Sequence, residues 1–388
     1  MSRRRQRRAG FTLVELMVAM TLGALVIASV YTLGGSASRD FQAQQRITQL
    51  QLATRLALDR VRRDVERAGL HGTPDSQVER LGATPVRRVV AVRLQNDAAR
   101  AVLDAAGSGN TTAQGDLLTL VGNFSTSDAY LVRSLNDTGD TVFLQTSWQG
   151  FRRSFVVLDG DSNDVVDAGL FQDVFRAGRM LHIQTIAGNH FFVRVVGANV
   201  VGDNATVQFT PAIGVGGTAV VGLAEGALVA PLSEIQYGLE ANAPDLPANP
   251  DEDITGTNVS LVRREIDMAS GTVVAGSTRT VLEWAVHFDV DAMLDDTAIG
   301  MAPSALSLTQ YDDANAEAQI AARPARVRAL LVTLGARTRE QDRSFPWIAP
   351  VAGAPLVRFR VFDGRDGAAH VRTSSAEIGL PNLIHRGL

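Results

Sequence analysis

The chain contains no cysteine among its 388 residues. Disulfides, thiolate nucleophiles, iron–sulfur clusters and cysteine zinc sites are therefore excluded. The compartment is left open, because oxidising surroundings permit disulfides without requiring them. Lysine is also missing: all 37 basic residues are Arg, so the N-terminus is the one primary amine. HExxH pairs are absent, and so is a G-x-S-x-G elbow. The run GVGG (214–217) lacks the Lys-Ser/Thr of a phosphate loop and reads as a turn. Six His are scattered at 71, 182, 190, 287, 370 and 385, and each reads as a satisfied surface or core side chain. No catalytic residues are expected, and acid pairs cannot be assigned without a fold. The chain does not read as an enzyme.

What is present is ordinary globular composition, 45% hydrophobic and 20% charged, with apolar mass enough for a core. Net charge is −4, unevenly placed. Arg3, Arg4, Arg5, Arg7 and Arg8 crowd the first ten residues, and without them 32 basic residues face 41 acidic ones, a net of −9. A body so acidic is a poor nucleic-acid binder. The basic head instead reads as a cytoplasmic anchor beside a membrane.

Behind that head runs FTLVELMVAMTLGALVIASVYTL (11–33), 23 residues with the single charge Glu15. As a helix it spans roughly 34 Å, about one bilayer core. A carboxylate in hydrocarbon costs on the order of 2.5–3.5 kcal/mol, so it needs a partner or a task. An ordinary secretory signal, cleaved near GGSAS (34–38), has a shorter apolar region. A plain anchor fits the length and gives Glu15 no purpose beyond snorkelling to the interface.

Residues 40–68 contain neither Gly nor Pro. Ile47, Leu50, Ala57, Leu58, Val61, Val65 and Ala68 fall in one stripe at helical period. One helix of about 58 residues, nearly 90 Å long, is expected from Phe11 to Ala68, stopped by Gly69. Gly34 and Gly35 are expected soft points. The stripe should pack on the protein's own sheet. Leu52 and Leu56 lie opposite, either as plain exposed leucines or as contacts for neighbouring helices.

Past AGLHG (68–72) the pattern turns to short β-like runs separated by Gly, Asn and Asp. They include 85–94, 116–123, 141–148, 153–160, 179–186, 190–197, 206–211, 233–240, 258–266, 281–290, 326–335, 355–364 and 370–378. A short helix is expected at 312–322, stopped by Pro324. The loop APDLPANPDEDITG (243–256) marks an expected boundary, near 241–257, between two β subdomains. The fold class read from this pattern is α+β.

One stretch invites a metal reading. Asp159, Asp161, Asn163, Val165 and Asp167 stand at positions 1, 3, 5, 7 and 9 of an EF-hand-like calcium loop. Position 6 is Asp164 rather than Gly, and position 12 is Leu170 rather than Glu. The alternative is a polar turn built on Asx hydrogen bonds.

The order Gly10, Phe11, Thr12, Leu13, Val14, Glu15 behind a basic leader resembles the type IV pilin superfamily. The resemblance implies a leader over 1–10 and cleavage after Gly10 by a prepilin peptidase. It also implies N-methylation of Phe11, and a helix with a membrane half (11–36) and an amphipathic half (37–69). Glu15 would then neutralise the amine of Phe11 on an adjacent subunit, since a buried charge is tolerable when paired. RRDVERAGLHG (62–72), LVRRE (261–265), LEWAVHFDV (282–290) and RVRALLVTLGARTR (326–339) resemble the PilW family of minor pilins. That resemblance implies a large β-rich periplasmic domain over 70–388 and a Gram-negative inner-membrane prepilin with a cytoplasmic N-terminus. Its implied function is to prime, assemble or cap a type IV pilus, with major and minor pilins and an inner-membrane assembly platform as partners. The J-type pseudopilin of type II secretion is a close relative of this pattern. A membrane-tethered periplasmic enzyme, binding protein or tip adhesin is the alternative of another class.

Overall fold

The computed structural model describes residues 12–85, 87–96, 114–158, 164–213, 226–241, 259–297, 307–349, 356–361 and 366–383. It comprises two compact units, Met1–Leu50 and Gln51–Leu388.

Helix α1 (Leu13–Glu66, 54 residues) starts in the first unit and ends in the second. It runs unbroken through Gly34 and Gly35, so the expected soft points remain helical. In the second unit Ala57, Leu58, Val61, Val65 and Ala68 are buried together with Thr54, as the stripe requires. Leu52 and Leu56 are 59% and 60% exposed. The helix end is closed from several sides, because its last carbonyls have no partner within the helix. Ala68 N donates to Val65 O, and Gly69, at φ +74°, donates its N–H to Val121 O at 2.8 Å. Asn382 Nδ2 donates to Glu66 O and Ala68 O.

After α1 come β1 (Val92–Gln95), β2 (Gln114–Gly115), β3 (Leu117–Gly122), β4 (Tyr130–Leu135) and β5 (Thr141–Leu144). Next are α2 (Gln149–Phe155), β6 (Val156–Leu158), β7 (Asp164–Val166) and α3 (Ala168–Val174). Then follow β8 (Met180–Gln184), β9 (His190–Val201), β10 (Asn204–Thr210), β11 (Leu228–Ala241), β12 (Val259–Ile266) and β13 (Arg279–Leu282). The chain continues with β14 (Ala285–Asp295), β15 (Leu308–Tyr311), α4 (Asp313–Ala322), β16 (Val327–Arg337), β17 (Arg358–Phe359) and β18 (Ala369–Gly379). A long apolar helix followed by a β-rich body is the α+β class the sequence implies.

Strand β11 organises the body by changing partners along its length. Over 228–232 it pairs with β4 and β8. The path β11–β4–β5–β10–β9–β8 then returns to β11, every pairing antiparallel, which closes a six-stranded barrel. Closure leaves those strands without an open edge. Side chains alternating inward from β5 and β10 (Val142, Leu144, Ala205, Val207, Phe209) fill it. Helices α2 and α3 and the C-cap of α3 add Phe151, Phe155, Phe171 and Phe175, whose rings contact one another and Tyr130 at centroid distances such as 5.0 Å (Phe151–Phe155) and 4.9 Å (Phe171–Phe175). Such aromatic pairs add about 0.5–1.5 kcal/mol each beyond the area they bury.

Over 233–241 β11 pairs instead with β3 and β12, extending into a sheet with β1 and β13. A further sheet, β15–β14–β16–β18–β17, has β2 added parallel to β14.

Several expected strands differ. The run 153–160 begins as helix α2, because Phe151 and Phe155 are spaced to bury one helical face. Within 85–94 only Val92 onward is strand, and 355–364 yields only Arg358–Phe359. The run 281–290 is divided between β13 and β14 at Trp284, whose φ of +57° turns the chain. That turn lays the indole 4.7 Å from the guanidinium of the buried Arg337, and Arg337 N donates to Trp284 O. Strands β4 and β15 and helix α3 were not foreseen in the pattern. The expected helix at 312–322 is α4, and Pro324 opens the 3₁₀ turn after it. Residues 242–258, where a subdomain boundary is expected, lie outside the described residues and connect β11 to β12, which pair with each other.

Candidate functional site

Gly10 and Phe11 lie outside the described residues; the site begins at Thr12. Thr12 N and Thr12 Oγ1 donate to Glu15 Oε2 at 2.9 and 3.0 Å. Glu15 N donates back to Thr12 Oγ1 at 3.2 Å. This reciprocal pair is a capping box, T-x-x-E, which satisfies amides that the first helical turn leaves open. It gives Glu15 a task inside its own subunit that the sequence reading did not assign, although the spacing displays it. Glu15 Oε1 has no hydrogen-bond partner among the described residues, and the carboxylate is exposed. An ionised carboxylate has about four acceptor positions, so the cap leaves room for an incoming cation.

The segment Leu13–Gly34 is 22 residues long with a mean hydropathy of 2.2, and none of its most apolar stretch is buried. Its hydroxyls are satisfied within the helix: Thr21 Oγ1 donates to Met17 O and Val18 O, Ser29 Oγ to Leu25 O, Thr32 Oγ1 to Ser29 O. In hydrocarbon, polar groups need such internal partners. One helix is thus long and apolar enough to cross a membrane.

The lower end of α1 is fixed by charge. Asp64, 5% exposed, accepts on Oδ2 from Tyr237 Oη at 2.5 Å and from Arg263 Nε at 2.6 Å. Tyr237 belongs to β11 and Arg263 to β12, so one carboxylate ties the helix to the junction strands. Burial, reinforced by the Asp64 charge, pushes the Tyr237 hydroxyl far above its ordinary range, so it stays a donor. The sequence offered RRDVERAG and LVRRE as motifs but no hint that they meet.

The calcium candidates are only partly visible. Asp159, Asp161 and Asn163 lie outside the described residues. Val165 pairs with Val157 in the β6–β7 ladder. Asp167 caps α3, its Oδ1 accepting from Leu170 N at 2.9 Å. Among the described residues no group of three or more His, Cys, Asp or Glu is arranged to hold a metal. A concavity between Arg176, Arg179, Glu265 and Asp267 has its charges matched internally. Arg176 and Arg179 both pair with Glu265, and Asp267 accepts from Ala269 N and Ser270 N.

Residues 5–31 match the family model of the prokaryotic N-terminal methylation motif. No curated protein matches the chain at a significant level. The matched motif contains Gly10, Phe11 and Glu15 and runs into the apolar helix. Basic leader, methylation motif and membrane-length helix together make this chain a type IV pilin-like or pseudopilin precursor.

Proposed function

We propose that the chain is a minor pilin that primes, assembles or caps a type IV pilus after cleavage behind Gly10 and methylation of Phe11. The observation that carries this reading is Glu15, held by Thr12 at the head of an unburied apolar helix, with Oε1 open among the described residues. A subunit waits in the inner membrane, its body on the periplasmic side, the prepilin peptidase having removed the leader. As it docks, Oε1 accepts the methylated ammonium of a neighbouring pilin, and the apolar spans exchange lipid for one another. Leu52 and Leu56 then meet neighbouring helices, since the opposite stripe is already occupied by the body. The large β body supports a role at low copy number rather than as the main filament subunit.

The J-type secretion pseudopilin uses the same head, and gene neighbours from a pilus or a secretion system separate the two. Glu15→Ala tests the mechanism: the variant should be cleaved normally and fail to enter filaments. Normal incorporation would remove the charge-pairing step.

A further inference from the structure

Charge is distributed unevenly along the body. Residues 68–322 hold 14 Arg against 31 acidic residues, a net of −17, whereas residues 323–372 hold ten Arg against four acidic residues, a net of +6. Up to Arg328 the arginines are largely matched to the protein's own carboxylates. Among the described residues, twelve of them between Arg60 and Arg328 form ion pairs. Beyond Arg328 the matching stops: Arg339, Arg343, Arg358 and Arg372 form no ion pair among the described residues.

Two of these share one face of the β17–β18 pair. Arg358 stands directly opposite His370 in the antiparallel register, and such partners project to the same face. Arg372 follows His370 by two residues, so it joins that face. The diagonal places the Cβ atoms of Arg358 and Arg372 about 7–8 Å apart. Across β18, the residue opposite Arg372 is the uncharged Ala336.

The Arg358 guanidinium is held in position without being neutralised. It lies 4.3 Å from the ring centroid of Phe345, and the same ring stacks on His370 at 4.0 Å with 20° between planes. A guanidinium over an aromatic face keeps its N–H edges available to a planar acceptor. Arg358 Nε is buried with no hydrogen-bond partner among the described residues. Arg372 commits only Nη1, to Val371 O at 3.0 Å. Asp342, the acid that meets this face through His370, is already engaged. Its Oδ1 accepts from Ser344 N and Oγ at 2.8 and 2.6 Å, and its Oδ2 faces His370 Nε2 at 3.3 Å.

We propose that Arg358 and Arg372 form a binding site for a carboxylate supplied from outside the chain. The rigid fork of a guanidinium matches the two oxygens of a carboxylate, and a second guanidinium one diagonal step away takes the remaining lone pairs. Phosphate offers similar oxygens with a larger negative charge, which the acidic body repels. Carboxylate is therefore the better match. Nucleobases would need a ring to stack on, and Phe345 is already engaged by Arg358 and His370. The site shares no residue with the Glu15 head and stands whichever fibre the chain joins.

The test uses the full chain in detergent micelles. Burial of Arg358 Nε slows exchange of its proton with water, so its ¹H–¹⁵N signal reports on the site; its loss in Arg358→Lys assigns it. Glutarate, hexaglutamate and inorganic phosphate are the probes, compared at equal ionic strength. Glutarate and hexaglutamate should each shift the signal saturably. Tighter binding of hexaglutamate identifies protein carboxylates as the source, and equal affinity per carboxylate identifies a free small acid. Arg372→Gln should weaken binding about tenfold or more, whereas Arg279→Gln, exposed on β13, should leave it unchanged. A shift that never saturates, or equal losses in Arg372→Gln and Arg279→Gln, overturns the site. Phosphate binding more tightly than glutarate overturns the carboxylate assignment. Should Arg372→Gln fail to fold, the wild-type titrations decide alone.

Discussion

Replacing Asp64 with Ala removes the carboxylate that joins α1 to β11 and β12. Two donors lose their acceptor together, Tyr237 Oη at 2.5 Å and Arg263 Nε at 2.6 Å. The Arg263 side chain is only 17% exposed, so water replaces the lost partner poorly. Breaking such a pair from one side costs about 3–5 kcal/mol. Tyr237→Phe alone removes one hydrogen bond to a charged group, about 1.5–3 kcal/mol. In an Asp64→Ala background the same Tyr237→Phe change deletes a hydroxyl already stranded, so it should be near neutral or stabilising. The two changes together should therefore fall short of additivity by about 1.5–3 kcal/mol, inside the range for residues in contact. Urea unfolding of the full chain in detergent micelles, followed by tryptophan fluorescence, measures all four corners of the cycle. Additivity within about 0.3 kcal/mol would show that the carboxylate does not join helix to sheet as described.

Substituting Leu52 and Leu56 with Asp should leave the urea midpoint nearly unchanged, since both are exposed, yet block incorporation into filaments; equal loss of fold and incorporation would contradict the proposed helix contact. Burial pushes the Glu265 carboxyl up, but hydrogen bonds and charge from Arg179 and Arg176 outweigh it and hold it below its ordinary value. That contribution is present above ~4.3 and lost as pH falls through the lowered value. Wild type should lose more stability on acidification than Glu265→Gln, read as the change in urea midpoint between neutral and acidic pH.

How far the sequence reaches can be seen at particular residues. The apolar span and the buried stripe of Val61 and Val65 were legible because helical periodicity is local and the stripe faces one surface. Most strands were legible for the same reason, as alternating runs bounded by turn residues. Helix α2 was not, because RSFVV carries β-branched and aromatic residues that suit a strand, while its helical signal is the four-residue spacing of Phe151 and Phe155. The same spacing recurs between Phe171 in α3 and Phe175 at its C-cap. Barrel closure depends on β11 meeting β8, about 45 residues earlier, and no local pattern encodes that pairing. The Asp64 tie likewise joins residues far apart in sequence. Thr12 is the instructive opposite: its T-x-x-E spacing to Glu15 stood in the sequence, and the charge of Glu15 drew the reading toward a neighbour instead of toward its own helix end.

The claim on which the account turns is that proteolysis frees a chain end for Glu15 to meet. The intact mass of the protein recovered from membranes of cells with active pilus or secretion machinery tests it most directly. The account predicts loss of residues 1–10 and gain of one methyl group, leaving a lysine-free chain with no primary amine for an amine-reactive label. A full-length mass with Arg3 to Arg8 still attached would contradict it.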